Sequence, residues 1–407
     1  LTMIEVKAKH SNSEYADNAL LQLGDTYHGV ENTENAYQAY HELVSNYKTS
    51  PLVNDALLKM ALIAYNKGDL NTAIAHYKSV MKQNPTSKES ESALLGLQEI
   101  YINDLGKSEE YVTYINTLPG HKLNDLAADS LAYMVGALRY NEGEYEKAIS
   151  GFSNYLDKYP NGFNKINALY FRAESYAILK KYSLALEDYE KITKAGTSEY
   201  YIQSIKKAAI ISYNHTQTFD KAYQYYDVYY KNLNDDDEKY KAALGALRSA
   251  FRIAKNDAVL TYGAIVESNK KATADDKAAA AYYMGKTYYK ENKLAEAKLA
   301  FEKASVAATN NQAAESRYLI AEILYKDGKK AEAEQQCNNA NEANTAYPYW
   351  IAKSLMLMSD IYVERSDYFN ARAALEAIIE NFSDDKDLMS AAEEKLKKVE
   401  ELEKQKT

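Results

Sequence analysis

The sequence predicts an all-α solenoid of about ten helix–turn–helix repeats, with a period of roughly 37 residues. Three observations predict it. An alanine recurs at Ala36, Ala73, Ala148, Ala185, Ala222, Ala258, Ala297, Ala333 and Ala371, with Glu110 in the third place, at intervals of 36 to 39 residues. Four residues after each marker stands Tyr40, Tyr77, Tyr114, Phe152, Tyr189, Tyr226, Tyr262, Phe301, Cys337 or Leu375. Twelve residues before each marker stands Gly24, Ala61, Gln98, Gly136, Ala173, Ile210, Ala246, Gly285, Ala321 or Ser359, mostly small residues.

This spacing has a physical meaning. A small residue on a first helix and an alanine on the second let the two approach closely, and the aromatic one turn later fills the space towards the next pair. Each pair buries only part of its apolar face alone, so the neighbours must supply the rest. Tyr145, Tyr182 and Tyr368, three residues ahead of their alanines, fit the same scheme. No run of β-branched residues alternates over a strand length, which excludes a sheet.

Punctuation agrees with the period. Pro51, Pro85, Pro119, Pro160 and Pro348 all fall between repeats, where a helix has to end. Gly68-Asp69, Gly143-Glu144 and Gly328-Lys329 sit at the turns inside repeats, where glycine takes a left-handed cap without steric cost. The third repeat is irregular, with Gln98 and Glu110 at small-residue positions and an early stop at Pro119-Gly120, so looser packing is expected between Leu105 and His121. The sixth carries an extra residue in its turn near His215 to Thr218, and the seventh shows Ser249 in place of a first-helix tyrosine.

These segments resemble the tetratricopeptide (TPR) repeat family, whose signature runs W-x2-L-G-x2-Y, then A-x3-F, then P. The L-G-x2-Y portion reads Leu23-Gly24-x2-Tyr27 and Met284-Gly285-x2-Tyr288, and the A-x3-F portion reads Ala148-x3-Phe152 and Ala297-x3-Phe301. The resemblance covers residues 14 to 382. It departs at the family's tryptophan, where Leu20, Leu57, Ala132 and Ala281 stand, and in a period longer than the usual ~34. It implies a right-handed superhelix with first helices lining the concave surface, and a non-enzymatic scaffold that holds a protein or peptide there. Long, tyrosine-rich repeats with Tyr-Pro or Asn-Pro exits also look like TPR proteins of the bacterial cell envelope, such as outer-membrane assembly lipoproteins and Tol–Pal coordinators. That implies a bacterial periplasm or envelope, with the cytoplasm as the alternative.

The expected division is residues 1–13 as the tail of a preceding repeat, 14–383 as the array and 384–407 as a C-terminal capping helix. Leu388, Ala392, Leu396, Val399 and Leu402 recur there at helical spacing amid Lys and Glu. The chain begins at Leu1, and its opening residues read like a second helix, so a fragment of a longer protein is expected. No run of 18 apolar residues offers a transmembrane helix.

Chemistry is sparsely signalled. The net charge of −9 at pH 7 disfavours nucleic acid, which prefers a basic stripe. The six histidines form no metal-ligand pair, and Asp235-Asp236-Asp237-Glu238 lacks the alternating ligands of a calcium loop, so it reads as a charged helix start. The lone Cys337 stands at an aromatic position and reads as a small buried hydrophobe. Phosphate loops and nucleophile elbows are missing. Catalytic residues, metal ligands and cofactors are therefore expected to be none.

Tyrosine is the informative residue, with 39 against 8 phenylalanines. Pairs seven apart lie on one face of a first helix: Tyr133 with Tyr140, Tyr282 with Tyr289, and Tyr318 with Tyr325, with Tyr170 in the matching place of its repeat. The resemblance places these seven in the concave groove as partner-binding residues, beside Asp25, Glu99, Glu174, Glu322 and Asp360. Simple packing between neighbouring first helices is the competing role. The face carries mostly Tyr, Leu, Asp and Glu, Lys286 excepted, which disfavours the Lys/Asn grip on a carboxylate terminus used by chaperone-type TPR domains. The alternatives to a scaffold are an accessory or regulatory repeat region of a larger enzyme or complex whose active part lies elsewhere, and a nucleic-acid-binding array.

Overall fold

A computed structural model describes residues 5, 15–83, 87–306, 310–382 and 385–406. The expectations for residues 1–13, apart from Glu5, and for Pro85 fall outside them. All regular elements among the described residues are helical. They form two compact units, residues 1–200 and 201–407, and each contributes five hairpins.

In the first unit the hairpins pair α1 (Ala16–Gly29) with α2 (Thr33–Asn46), α3 (Val53–Asn66) with α4 (Leu70–Gln83), and α5 (Lys88–Gln98) with α6 (Ser108–Asn116). Then α7 (Asp125–Asn141) pairs with α8 (Tyr145–Lys158), and α9 (Lys165–Ile178) with α10 (Tyr182–Ala195). In the second unit α11 (Tyr201–Asn214) pairs with α12 (Phe219–Lys231), α13 (Asp236–Arg252) with α14 (Asn256–Ser268), and α15 (Ala274–Lys290) with α16 (Leu294–Val306). It closes with α17 (Asn311–Lys326) on α18 (Lys330–Ala343), α19 (Pro348–Glu364) on α20 (Tyr368–Asn381), and a last helix α21 (Lys386–Lys406). Within each unit consecutive helices pack in chain order, and most first helices also touch the next first helix.

The core is built as the spacing predicts. Nine marker alanines are buried, and so are Tyr40, Tyr77, Phe152, Tyr189, Tyr262, Phe301, Cys337 and Leu375 beyond them. Glycine is required where a ring leans on the partner helix. A Cβ on Gly24 would lie 2.3 Å from Tyr40, one on Gly136 2.5 Å from Phe152, and one on Gly285 2.7 Å from Phe301. Gly151 is closer still to its partner helix, since its Cβ would stand 2.8 Å from the Gly136 Cα.

Every hairpin turns through one left-handed residue: Glu31, Gly68, Gly106, Gly143, Lys180, Gln217, Ala254, Asn292, Gly328 and Ser366. The residue after it commonly donates its N–H back across the turn, as Asp69 does to the Ala64 carbonyl at 2.9 Å and Glu144 to that of Arg139 at 2.9 Å. This is the Schellman arrangement that satisfies the orphan carbonyls of a helix end. Six hairpins thus place an ordinary L-residue where glycine would be unstrained.

Two positions depart from the expected register. In the third repeat the inward residues are Tyr111 and Ile115, one later than Glu110 and Tyr114; Glu110 is exposed and Tyr114 only half-buried. The cause is a π-helical stretch, Glu99–Asp104, that continues α5 and adds one residue before the turn. It buries Ile100, Tyr101 and Ile102. In the sixth repeat Ala209, rather than Ile210, is the buried small residue, as an extra residue before the turn requires. After Leu105 a groove of about 800 Å³ lies between short α6 and the α7–α8 hairpin, lined in part by Ala132, Val135 and Gly151. At the far end, α21 buries Leu388, Ala392 and Val399 against α19 and α20, and Lys395 binds Asp360 at 2.5 Å.

Two predictions follow from these packings. Lys180→Gly should raise the unfolding free energy by up to ~1 kcal/mol, and Gly143→Ala should lower it by about 1–2 kcal/mol, because only the left-handed backbone separates them. Denaturant unfolding checks both, and equal effects would exclude the strained turn. Phe301→Ala should cost ~3–5 kcal/mol and Gly136→Leu ~1–3 kcal/mol, measured the same way.

Candidate functional site

Tyrosine needs an acceptor when its ring is buried. This chain supplies carboxylates. The Tyr40 hydroxyl donates to Asp25 at 2.7 Å, Tyr262 to Asp227 at 2.5 Å, and Tyr229 to Glu238 at 2.8 Å. Tyr189 donates to Glu174, and Tyr362 to Glu334 at 3.0 Å. Burial, reinforced by the neighbouring carboxylate, pushes the Tyr40, Tyr189 and Tyr262 phenols well above their ordinary range. The hydroxyls therefore stay protonated and act as donors.

Two buried carboxylates organise connections that the spacing did not reveal. Asp129 on α7 accepts the Tyr155 hydroxyl at 2.9 Å, the Phe163 N–H at 3.0 Å and the Asn164 side-chain amide at 2.9 Å, which fixes the exit loop after Pro160. Asp188 on α10 accepts both Nε and Nη2 of Arg172 at 2.7 and 2.9 Å, while Nη1 reaches Ser153 at 2.9 Å, so one guanidinium ties three helices. The acidic run caps α13: Asp235 accepts the Glu238 N–H at 2.9 Å. Hydrogen bonds from Lys206 and then Tyr229 hold the Glu238 carboxyl down at about 2. Cys337 is buried, and burial pushes its thiol up to about 12, as befits an inert core residue. Among the described residues no cluster of His, Cys, Asp or Glu is arranged to hold a metal ion, and no helix is long and apolar enough to cross a membrane.

The seven sequence-selected tyrosines separate into two groups. The four in the second unit are engaged with their own chain. Tyr282 donates to Glu315 at 2.7 Å, and Lys286 binds the same carboxylate at 2.5 Å. Tyr325 donates to Glu364, and Tyr289 accepts from Lys326. Tyr318 is buried against Trp350, centroids 5.7 Å apart, with the Lys353 ammonium 5.6 Å from its ring centre.

The three in the first unit behave differently. Tyr133 and Tyr140 on α7 and Tyr170 on α9 are half-buried, and their hydroxyls make no hydrogen bond among the described residues. Tyr170 stacks on Tyr200 at 4.1 Å, and Phe171 joins Tyr170 to Tyr140 at 5.5 and 4.9 Å. Tyr133 packs on Phe152 at 5.7 Å and Tyr155 at 5.9 Å. Burial first, then the Glu174 charge, raises Tyr170 to about 12, and burial with Tyr200 raises Tyr133 to about 12. Glu174 thus sits within an aromatic cluster of Tyr140, Tyr170 and Tyr189. Tyr200 belongs to it but lies in a loop outside the period.

Comparison with known proteins places these repeats. Tetratricopeptide repeat family models match residues 18–50, 55–87 and 129–162, and another matches 282–348. A general transcriptional corepressor, ssn6, of Schizosaccharomyces pombe is 28% identical over 150 residues, which is 37% of this chain and 13% of that protein. The chain thus spans about an eighth of the length of this curated relative. Among solved structures, the C-terminal part of a TPR repeat-containing protein from Cytophaga hutchinsonii matches 63% of this chain and 98% of its own at 18% identity, TM-score 0.44. The quorum sensor NprR from B. thuringiensis matches 77% and 93% at 15% identity, TM-score 0.37. The expected bacterial periplasm or cell envelope is corrected by the curated match, which is to a transcriptional corepressor of Schizosaccharomyces pombe.

The Glu238 pairing carries a pH prediction. Its carboxyl titrates lower in the folded chain than the ordinary 4.5, so the stability it contributes is complete above 4.5 and is lost as pH falls towards about 2. The gap in melting temperature between the native chain and Glu238→Gln should shrink over that window. A gap that stays constant down to the lower limit would exclude the pairing.

Proposed function

We propose that this chain, built of tetratricopeptide repeats, is a non-enzymatic protein-interaction region that serves a larger protein or complex whose active part lies outside it. The carrying observation is the cluster of Tyr133, Tyr140 and Tyr170, whose rings are half-exposed and whose hydroxyls are unused. Aromatic side chains with a free polar end suit an interface, since one end buries apolar area and the other forms hydrogen bonds. The hydroxyls of Tyr40, Tyr155, Tyr189, Tyr229, Tyr262, Tyr282, Tyr325 and Tyr362 are taken up by internal carboxylates, whereas those of this patch are left for another molecule. Tyr282, Tyr289, Tyr318 and Tyr325 would form a secondary contact, weaker because the polar ends of Tyr282, Tyr289 and Tyr325 are already committed and Tyr318 is buried. Under this reading residues 14–383 are the working array, and residues 384–407 cover its last hairpin. The match to a small part of a corepressor supports an accessory, regulatory role rather than a self-sufficient one. The acidic net charge favours protein or peptide over nucleic acid.

Replacing Tyr133, Tyr140 and Tyr170 together by alanine should abolish recovery of partners from the native host, with helicity unchanged by circular dichroism. The corresponding quadruple change at Tyr282, Tyr289, Tyr318 and Tyr325 should reduce melting temperature more than partner recovery. Full recovery by the triple variant would refute the site.

A further inference from the structure

The chain holds one Asn-Gly pair, Asn161-Gly162, in the exit loop between α8 and α9. Asparagine is labile before glycine, because the following main-chain nitrogen has no side chain to shield it and its backbone turns freely. Asn161 is exposed, and its carboxamide makes no hydrogen bond among the described residues. The Gly162 N–H, by contrast, is held on the Tyr159 carbonyl at 2.9 Å. Directly beyond it lies the Asp129 clamp. Besides the Tyr155 hydroxyl and the Asn164 side chain, Asp129 accepts the Phe163 N–H at 3.0 Å, while the Asn164 N–H goes to the Tyr155 hydroxyl at 2.9 Å. Gly162 fits closely against these groups: a Cβ there would collide with the Asp129 carboxylate, the Tyr155 hydroxyl and the Tyr159 side chain. The loop therefore has no slack. Asn161, Gly162 and Asp129 line one hollow of about 610 Å³, rimmed by exposed Leu126 and Phe163, so water reaches the pair.

We propose that Asn161 is a site of spontaneous deamidation, and that its isoaspartyl product unlatches the link between the fourth and fifth hairpins. The Gly162 nitrogen, having given its proton to solvent base, bonds to the Asn161 Cγ, and the Cγ–Nδ2 bond breaks to release ammonia. A five-membered imide ring remains. Water then opens it at one of its two carbonyls. Opening at Cγ gives an aspartyl side chain; opening at the main-chain carbonyl routes the backbone through Cβ and Cγ and adds one methylene to it. The net change is one water in and one ammonia out. While the imide lasts, Gly162 has no N–H for Tyr159. In the isoaspartyl chain the extra methylene pushes Phe163 and Asn164 off register with Asp129 and Tyr155, and a new carboxylate stands beside a buried one. The buried Asp129 oxygens then lose donors that they need. Attack requires the Gly162 N–H to leave Tyr159, and the loss of ammonia makes the change one-way.

The test incubates the full chain in warm, mildly alkaline buffer and follows it by peptide mass spectrometry. Among the described residues Asn161 should be the first asparagine to gain one mass unit, at a rate that rises with pH, and fragmentation should place isoaspartate there. Asn161→Gln, whose longer side chain closes a ring poorly, should remove that signal. Separated by chromatography, the isoaspartyl chain should exchange its Phe163 and Asn164 amide hydrogens about 10-fold faster or more, the worth of one hydrogen bond to a carboxylate. Asn161→Asp carries the charge on an unlengthened backbone and should exchange them much as the native chain does. No conversion at Asn161, or conversion of other described asparagines ahead of it, would overturn the site. Unchanged exchange in the isoaspartyl chain, or equal acceleration in Asn161→Asp, would overturn the unlatching.

Discussion

One close approach governs this fold: a ring from the second helix of a hairpin occupies the space where a side chain on the first would begin. At Gly24, Gly136 and Gly285 the missing Cβ is what admits Tyr40, Phe152 and Phe301. Alanine does the same work with a little more distance at Ala61, Ala173, Ala246 and Ala321, all buried. Because the crossing is this tight, the aromatic has nowhere to go but inwards and towards the next hairpin. Local sequence spacing thereby fixes contacts between elements about 37 residues apart, which is how a repeat can stack without a central core.

The choice of tyrosine over phenylalanine at these crossings has a consequence for charge. A phenol in the interior requires an acceptor, and Asp25 and Glu174 sit one residue beyond the small residue of their own first helices, fifteen residues before Tyr40 and Tyr189. Where the ring is Phe152 or Phe301, that same position holds Ala137 or Lys286, which carry no carboxylate. Ring and acceptor therefore match in these four hairpins, whereas Leu62, Ile211 and Leu247 stand at that position for Tyr77, Tyr226 and Tyr262. Part of the acidic balance of the chain is thus structural, placed to receive hydroxyl protons rather than to coat the surface.

Much of the fold was legible because its signals are local. The alanine markers and the glycine turns belong to single hairpins, the proline exits to the short links between them, and the structure puts the described ones where their spacing says. The third repeat misled because periodicity assumes a regular α-helical rise, and Glu99–Asp104 widens into a π-helix that moves the inward face from Glu110 to Tyr111. The site was half legible. Spacing by seven finds a helix face, so it found Tyr133, Tyr140, Tyr170 and their second-unit counterparts. It says nothing of whether a hydroxyl is already taken, because Glu315 and Glu364 come from the next hairpin, 33 and 39 residues on. Tyr200 and the buried Asp129 escaped for the same reason: one lies off the period, and the other is defined by a loop it holds.

The widened stretch at Glu99–Asp104 also changes how such a chain can vary over time. A single inserted residue in a helix would ordinarily rotate everything after it by about 100° and turn the apolar stripe to water. Here the excess is absorbed within one turn: the left-handed Gly106 still lies five residues ahead of the inward Tyr111, the same interval that separates Gly143 from Ala148. Small insertions and deletions in a first helix can therefore be accommodated inside one hairpin, leaving the phase of its neighbours intact, so that repeats of unequal length can accumulate in a single array.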